Sequence, residues 1–179
     1  MITKYLPTFK VFEVGSLTGL RAGHMLSQQP AASTIRVKEV GDSKFIENGI
    51  IVGMNADGQI VNWSNAEGTD NVSKTMFVHY TEELNTFVDE LKYFAVPVEE
   101  KYENGQKKPD YDSTYPRCIA LYTGDSFCTD NVVGTPSAYA KVDNGVLTFV
   151  SNKADAQFAV KEGTLPTGDK AYDFVFLGA

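Results

Sequence analysis

The sequence predicts a mainly β fold. It takes the form of a compact β-barrel, tulip-like or sandwich domain over residues 34–179, with one short helix at about 82–94 and an extended N-terminal arm over 1–33. Three observations carry this expectation. Apolar stretches are short, and several alternate with polar residues, as in "TIRVKEV" (34–40). Asn-Gly or Asp-Gly pairs stand at 48–49, 57–58, 104–105 and 144–145, and both dipeptides accept positive φ at low cost. Aromatic residues make up 12% of the chain and glycine occurs 15 times, a balance that leans towards strands and turns.

Residues 1–33 read as an arm. Phe9, Val11, Phe12 and Val14 suit one short strand. "GSLTGLRAG" and "SQQPAAS" follow, punctuated by Gly, Ser and Pro. Leu17, Leu20, Arg21 and Met25 sit among them without a period. Scattered apolar residues of this kind suit a segment that lies on another surface; packing on its own domain is the alternative.

Strands then follow in order. "TIRVKEV" is the first, and "KFI" runs into Asn48-Gly49. "IIVGM" leads to Asp57-Gly58 and "QIVNW" leaves it, so 47–63 reads as strand, turn, strand, turn, strand. In "TMFVHY" (75–80), Met76, Val78 and Tyr80 share a face. At 81–95 the period changes. Leu84, Phe87, Val88, Leu91 and Ala95 form one helical stripe, with Thr81 as N-cap, Glu82 and Glu83 in the first turn, and Pro97 as a stop.

"EEKYENGQKKPDYDSTYP" (99–116) is charged and Tyr-rich, and it reads as an exposed excursion tipped by Asn104-Gly105. "RCIALYT", a turn at Gly124-Asp125 and "SFCT" come next. The C-terminal third gives "SAYAKV", a turn at Asn144-Gly145, "VLTFV", "AQFAVK" and "AYDFVFL", the last placing Tyr172, Phe174 and Phe176 on one face. "ENGIIVGMNADGQI" (47–60) echoes "DNGVLTFVSNKADAQF" (143–158). Either one hairpin design is used twice, or the likeness is chance.

Length and charge bound the function. A chain of 179 residues suits one domain, which at this size buries roughly 70% of its unfolded surface without metal or disulfide. A formal net charge of -7 argues against a nucleic-acid groove, which needs clustered Lys and Arg. No apolar run approaches the ~20 residues of a membrane-spanning helix. Cys118 and Cys128 are ten residues apart; that spacing fits no zinc pattern and suggests free thiols rather than a disulfide.

The chain offers little catalytic vocabulary. "NADGQI" has the middle of a calcium loop, but Gly53 and Ser64 stand where its first and twelfth ligands belong. A nucleophilic Ser126 or Cys128 would need His24 or His79 as base, and "GDSFC" is not a nucleophile elbow. The reading is therefore a non-enzymatic chain with no catalytic, metal-binding or cofactor-binding residues. Tyr102, Tyr111 and Tyr115 leave open a carbohydrate-binding platform.

Three segments carry a resemblance. "FIENGIIVGMNADGQIV", "YPRCIALYTGDSFCTDNV" (115–132) and the ending "QFAVKEGTLPTGDKAYDFVFLGA" together resemble capsid decoration (cement) proteins of tailed bacteriophages. The resemblance covers about two-thirds of the chain, and the helix at 82–94 departs from it. It implies an all-β domain that binds the outer face of an icosahedral shell. The implied partners are the major capsid protein and further copies of the chain, often as a homotrimer, with no nucleic acid, membrane or cofactor. It also implies synthesis in a bacterial host cytoplasm and residence on the virion. Under it, Phe9, Phe12, Leu17, Leu20, Arg21 and Met25 of the arm and the hairpin at 47–60 are the expected shell contacts; Asn48, Gly49, Asp57, Gly58, Asn144 and Gly145 are the hairpin turns that the dipeptides themselves predict. A tail or head–tail joining protein is the neighbouring alternative.

Overall fold

The computed structural model describes residues 12–13, 26–64, 75–80, 84–88, 91–164 and 170–178. The fold is mainly β, with a curled, half-barrel sheet. In chain order the strands are β1 (Phe12–Glu13), β2 (Leu26–Gln28), β3 (Lys38–Val40), β4 (Ser43–Glu47), β5 (Ile51–Met54), β6 (Ile60–Asn62), β7 (Phe77–His79), β8 (Leu84–Val88) and β9 (Leu91–Pro97). They continue with β10 (Glu99–Glu103), β11 (Gln106–Asp110), β12 (Arg117–Ala120), β13 (Ser126–Thr129), β14 (Val132–Val133), β15 (Tyr139–Asp143), β16 (Val146–Val150), β17 (Phe158–Thr164) and β18 (Lys170–Phe176). Among the described residues, helix is limited to single 3-10 turns such as Tyr111–Ser113 and Lys153–Asp155.

The described strands form four sheets. A seven-stranded sheet runs β1-β13-β18-β17-β15-β16-β14, and a five-stranded sheet runs β2-β12-β7-β5-β6. A four-stranded sheet runs β3-β4-β9-β8, and β10-β11 stand as a pair.

In the five-stranded sheet β5, β6, β7 and β12 are buried on both faces, and period-2 alternation assigns them. Ile51, Met76, Val78, Ile119 and Leu121 pack in one core with Phe127, Leu147, Phe158, Phe174 and Phe176 of the seven-stranded sheet. Val52, Ile60, Phe77, Cys118 and Ala120 pack in a second core with Ala31, Ile35, Ile46, Ile50 and Val98. This explains the unbroken apolar run Ile50-Ile51-Val52, since a strand covered on both sides needs apolar residues on both. The aromatic centre is tight. Phe127 stacks on Phe174 at 5.6 Å, and Phe158 meets each of them edge-on. The expected face of "AYDFVFL" is confirmed: Phe174 and Phe176 lie in this core and Tyr172 packs against it.

Four expectations are corrected. The helix expected over 82–94 is two antiparallel strands, β8 and β9, with register Leu84↔Phe94, Asn85↔Tyr93 and Val88↔Leu91 and an irregularity between Asn85 and Val88. Thr81, Glu82 and Glu83, its expected first turn, lie outside the described residues. Asn48-Gly49 is not a hairpin turn. β4 pairs with β3 and β9, whereas β5 pairs with β6 and β7, so the dipeptide turns the chain from one sheet into another. "TIRVKEV" is extended only at its end, because Ile35 N–H closes a turn onto Ala32 O at 3.0 Å and its side chain fills the second core. The echo between 47–60 and 143–158 does not extend to pairing: β5 and β6 form a hairpin, but β16 and β17 flank β15 instead.

Candidate functional site: a clamped hairpin and two edge strands

The hairpin β10–β11 follows from its residues. Asn104 at φ 52° and Gly105 at φ 76° make the left-handed pair that a two-residue turn requires. The ladder runs from Glu99↔Asp110 to Glu103↔Gln106. Neither face is apolar, so neither is drawn into a core, and every residue from Glu99 to Pro109 is exposed. Its charges are matched across the strands. Lys101 lies 3.5 Å from Asp110, Lys108 lies 2.7 Å from Glu103, and Lys107 pairs with Glu100. Its hydrogen bond to the Glu100 carboxylate holds the Lys107 ammonium above its ordinary pKa. Tyr102, 78% exposed, is the large apolar surface on the pair.

Thr114 clamps the base. Its hydroxyl accepts from Glu99 N–H at 2.9 Å and donates to Asp110 O at 2.8 Å, joining the ends of both strands. Its carbonyl accepts from Ala31 N–H at 2.9 Å, and its side chain is buried. Tyr111 packs against the second core, and Asp112 accepts from Gln59 Nε2 at 3.2 Å. The hairpin is thus fixed at its root and projects from it. Nothing in "DYDSTYP" marked Thr114 beforehand, because its role depends on strands that meet only in the fold.

A cleft of ≈ 390 Å³ opens beside the hairpin, lined by Lys44, Lys107 and Lys108 with Asp42, Glu100 and Val98 among its walls. Lys44 is paired with Glu39 at 3.0 Å, which raises its pKa, and the two hairpin lysines have their own carboxylates. Three lysines already neutralised do not make an anion site.

The N-terminal chain supplies strands to two sheet edges. β1 pairs with β13 through Phe12↔Thr129 and Glu13↔Cys128. β2 pairs with β12 through Arg117↔Gln28, Cys118↔Ser27 and Ile119↔Leu26. Phe12 therefore joins the seven-stranded sheet, while Phe9, Leu17, Leu20, Arg21 and Met25 lie outside the described residues. Residues 30–35 are built into the domain. Ala31 is fully buried in the second core, Ala32 N–H donates to Ile60 O, and Ile60 N–H donates to Pro30 O.

The turns do structural work. Asn55 Oδ1 accepts from Asp57 N–H at 3.0 Å and Gln59 N–H at 2.8 Å, which closes the β5–β6 turn with Gly58 at φ 78°. The residue that suggested a calcium ligand is a turn-former, and no group of three or more potential metal ligands occurs among the described residues. At Asn144-Gly145, φ values of 45° and 80° give the expected hairpin. Its tip also fastens the two large sheets together: Gly145 N–H donates to Trp63 O, and Ile51 N–H donates to Gly145 O, both at 2.8 Å.

At the Asn48-Gly49 corner, Gly49 N–H donates to His79 O and His79 N–H donates to Ile50 O, both at 3.0 Å. Asn131 Nδ2 donates to Asn48 O at 3.1 Å, and His79 Nδ1 lies 2.8 Å from Glu47 O. A carbonyl only accepts, so Nδ1 carries the proton. Burial pushes the His79 pKa down to about 4 against the opposing pull of the Glu47 carbonyl, so the ring is neutral and structural at pH 7. Its cross-strand neighbour is Cys118, whereas Cys128 faces Asp173 and Glu13 in the other sheet. Neither cysteine is in a disulfide and both are buried, and burial pushes the Cys118 thiol well up, leaving it protonated.

Of the three tyrosines considered for a sugar platform, Tyr111 is engaged at the second core, while Tyr102 and Tyr115 are exposed. Comparison with known proteins gives no match to a family model, a curated protein or a solved structure.

Proposed function

We propose that this chain is a non-catalytic structural protein of a virion, one that binds the outer face of an icosahedral phage capsid and stabilises it. The observation that carries the reading is the way the N-terminal chain is held. It adds β1 to an edge of one large sheet and β2 to an edge of the other, through backbone ladders. Strand addition is a recognition mode that works between chains as well as within one. A segment that binds sheet edges is suited to reach a neighbouring subunit, whether the major capsid protein or another copy in a homotrimer. The hairpin, clamped at its root, supplies a second projection for the same lattice. Many weak contacts on a repeating surface add up through multivalency, and binding only the assembled shell stabilises it by mass action.

The test is a pair of measurements. Quantitative mass spectrometry of purified particles gives the ratio of this chain to the shell protein. The expected result is a simple, many-copy fraction, and absence from particles overturns the reading. Deleting residues 1–24 removes β1 and spares β2 and Ala31. The expected result is loss of shell binding with the β domain still folded, and undiminished binding would remove the arm from the account.

A further inference from the structure

The chain carries Asn-Gly three times, and the fold gives the three copies different surroundings. At Asn48-Gly49 both residues are buried, the Gly49 N–H is bonded to His79 O, and a Cβ on Gly49 would lie 2.7 Å from Thr129 Oγ1. At Asn144-Gly145 the asparagine is exposed, but the glycine is buried, its N–H bonded to Trp63 O and its Cα within a Cβ's length of crowding Asn62 at 3.1 Å. At Asn104-Gly105 both residues are exposed, and among the described residues the Gly105 N–H has no backbone acceptor and nothing lies within 4 Å of the position a Cβ would take.

We propose that Asn104 is a site of spontaneous deamidation, and that the fold withholds this reaction from Asn48 and Asn144. The backbone nitrogen of the following residue gives up its proton and attacks the side-chain amide carbon. A bond forms between Gly105 N and Asn104 Cγ, the Cγ–Nδ2 bond breaks, and ammonia leaves with the proton. Water then opens the five-membered imide at either carbonyl, leaving aspartate or isoaspartate at position 104. The net change is uptake of water and release of ammonia, so no oxidant or catalyst is needed.

Three requirements follow: a glycine nitrogen free to ionise, room for the side chain to fold back over it, and access for water. Only the hairpin tip meets all three without unfolding. A bonded N–H must first be released, and at positions 49 and 145 that means separating packed sheets. Any rearrangement of Asn104 that the attack needs requires only local opening at the tip, which is cheap in a two-stranded pair with no apolar face. The Asp57-Gly58 turn provides an internal contrast, because its Gly58 N–H is bonded to Asn55 O at 3.1 Å.

The product alters the hairpin. It adds one negative charge beside Glu103, and the isoaspartate form lengthens the main chain within the turn, so the pairing Glu103↔Gln106 cannot keep its register. Of the three Asn-Gly copies, the one on the projecting element therefore ages first.

The experiment is a time course on the full-length protein at mildly alkaline pH, with peptide mapping by mass spectrometry and chromatographic separation of the aspartate and isoaspartate forms. In native buffer, conversion at 104 should exceed that at 48 and 144 by about tenfold or more, since release of the bonded sites requires opening of the core. In guanidinium chloride the three sites should converge, which shows that the fold and not the local sequence sets the difference. Comparable conversion at 48 or 144 in native buffer would overturn the proposal. The variant Asn104→Gly keeps a turn-compatible pair and should abolish the acidic form that accumulates on ion exchange; persistence of that form would also overturn it.

Discussion

The hairpin Tyr139–Val150 and the hairpin Glu99–Asp110 each join two five-residue strands through Asn-Gly, and each has an acidic residue just before the turn. Both asparagines and both glycines take positive φ. The backbones are thus nearly the same object. Along β15 burial alternates, with Ala140 and Val142 inward and Lys141 and Asp143 outward, and Val146 and Leu147 follow into the core. Along β10 and β11 nothing alternates, because charge stands on both faces. Turn chemistry makes a hairpin, and side-chain pattern decides whether the fold absorbs it. The first hairpin has become two interior strands of a seven-stranded sheet and a clasp between two sheets; the second has stayed outside every core, held by Thr114 at its root.

The largest effect that sharpens this contrast is a pair of truncations. Leu147 is fully buried among the aromatic residues of the main core, and Leu147→Ala should lower unfolding stability by about 2–5 kcal/mol. Tyr102→Ala, at the corresponding depth of the other hairpin, should change it by less than about 0.5 kcal/mol. Denaturant titration of both variants measures the difference. A loss at Tyr102 comparable with that at Leu147 would mean that the projecting hairpin is packed after all.

The third Asn-Gly, the inter-sheet corner, is tested through pH. His79 has a folded pKa of about 4, against about 6.5 for an unperturbed histidine. The unfolded chain therefore binds more protons between these values, and stability falls as pH drops. The contribution is complete above about pH 6.5 and is lost as pH falls through about 4. It amounts to about 3 kcal/mol in all. His79→Gln removes this titration, so its stability curve should be flatter across the window by up to one proton. An unchanged slope would mean that the ring is not buried and neutral.

These regions also mark what the sequence could disclose. The I′ turns at 104–105 and 144–145 and the aromatic face of "AYDFVFL" were readable, because turn type and alternation are local. The corner at 48–49 was not. Asn-Gly signals a reversal, but whether the next strand pairs with the last one or leaves for another sheet depends on β7 and β9, some 30 to 50 residues away. The strands at 84–97 were misread for a related reason. Leu84, Phe87, Val88, Leu91 and Ala95 fit a helical stripe, yet the same stretch has aromatic and β-branched residues in Thr86-Phe87-Val88 and Tyr93-Phe94-Ala95-Val96. Short apolar runs satisfy either period, and pairing with β4 settles the choice. The candidate site was half legible. Charge and Asn-Gly announced an exposed hairpin, but Thr114 and the two edge ladders exist only once distant strands meet.

The smallest effect separates what the turn demands from what its surroundings demand. Gly145 and Gly105 have φ values of 80° and 76°, so alanine at either position is forced into the left-handed region at a cost of about 1–2 kcal/mol. That term is common to both. At Gly105 there is nothing further, since its Cβ would enter open space, and strain in a hairpin detached from the cores is relieved by local fraying rather than by global unfolding. At Gly145 the new Cβ would sit 3.1 Å from Asn62 and from Ile51 O, and the chain cannot retreat without stretching the bonds to Trp63 O and from Ile51 N–H. Gly145→Ala should therefore lower global stability by the full strain or more, while Gly105→Ala leaves the global transition nearly unmoved and loosens only the tip. Denaturant titration reads the first, and amide hydrogen exchange across 99–110 reads the second. If both variants lowered the global transition equally, the two hairpins would be part of one cooperative unit, and the division between an absorbed hairpin and a projecting one would fail.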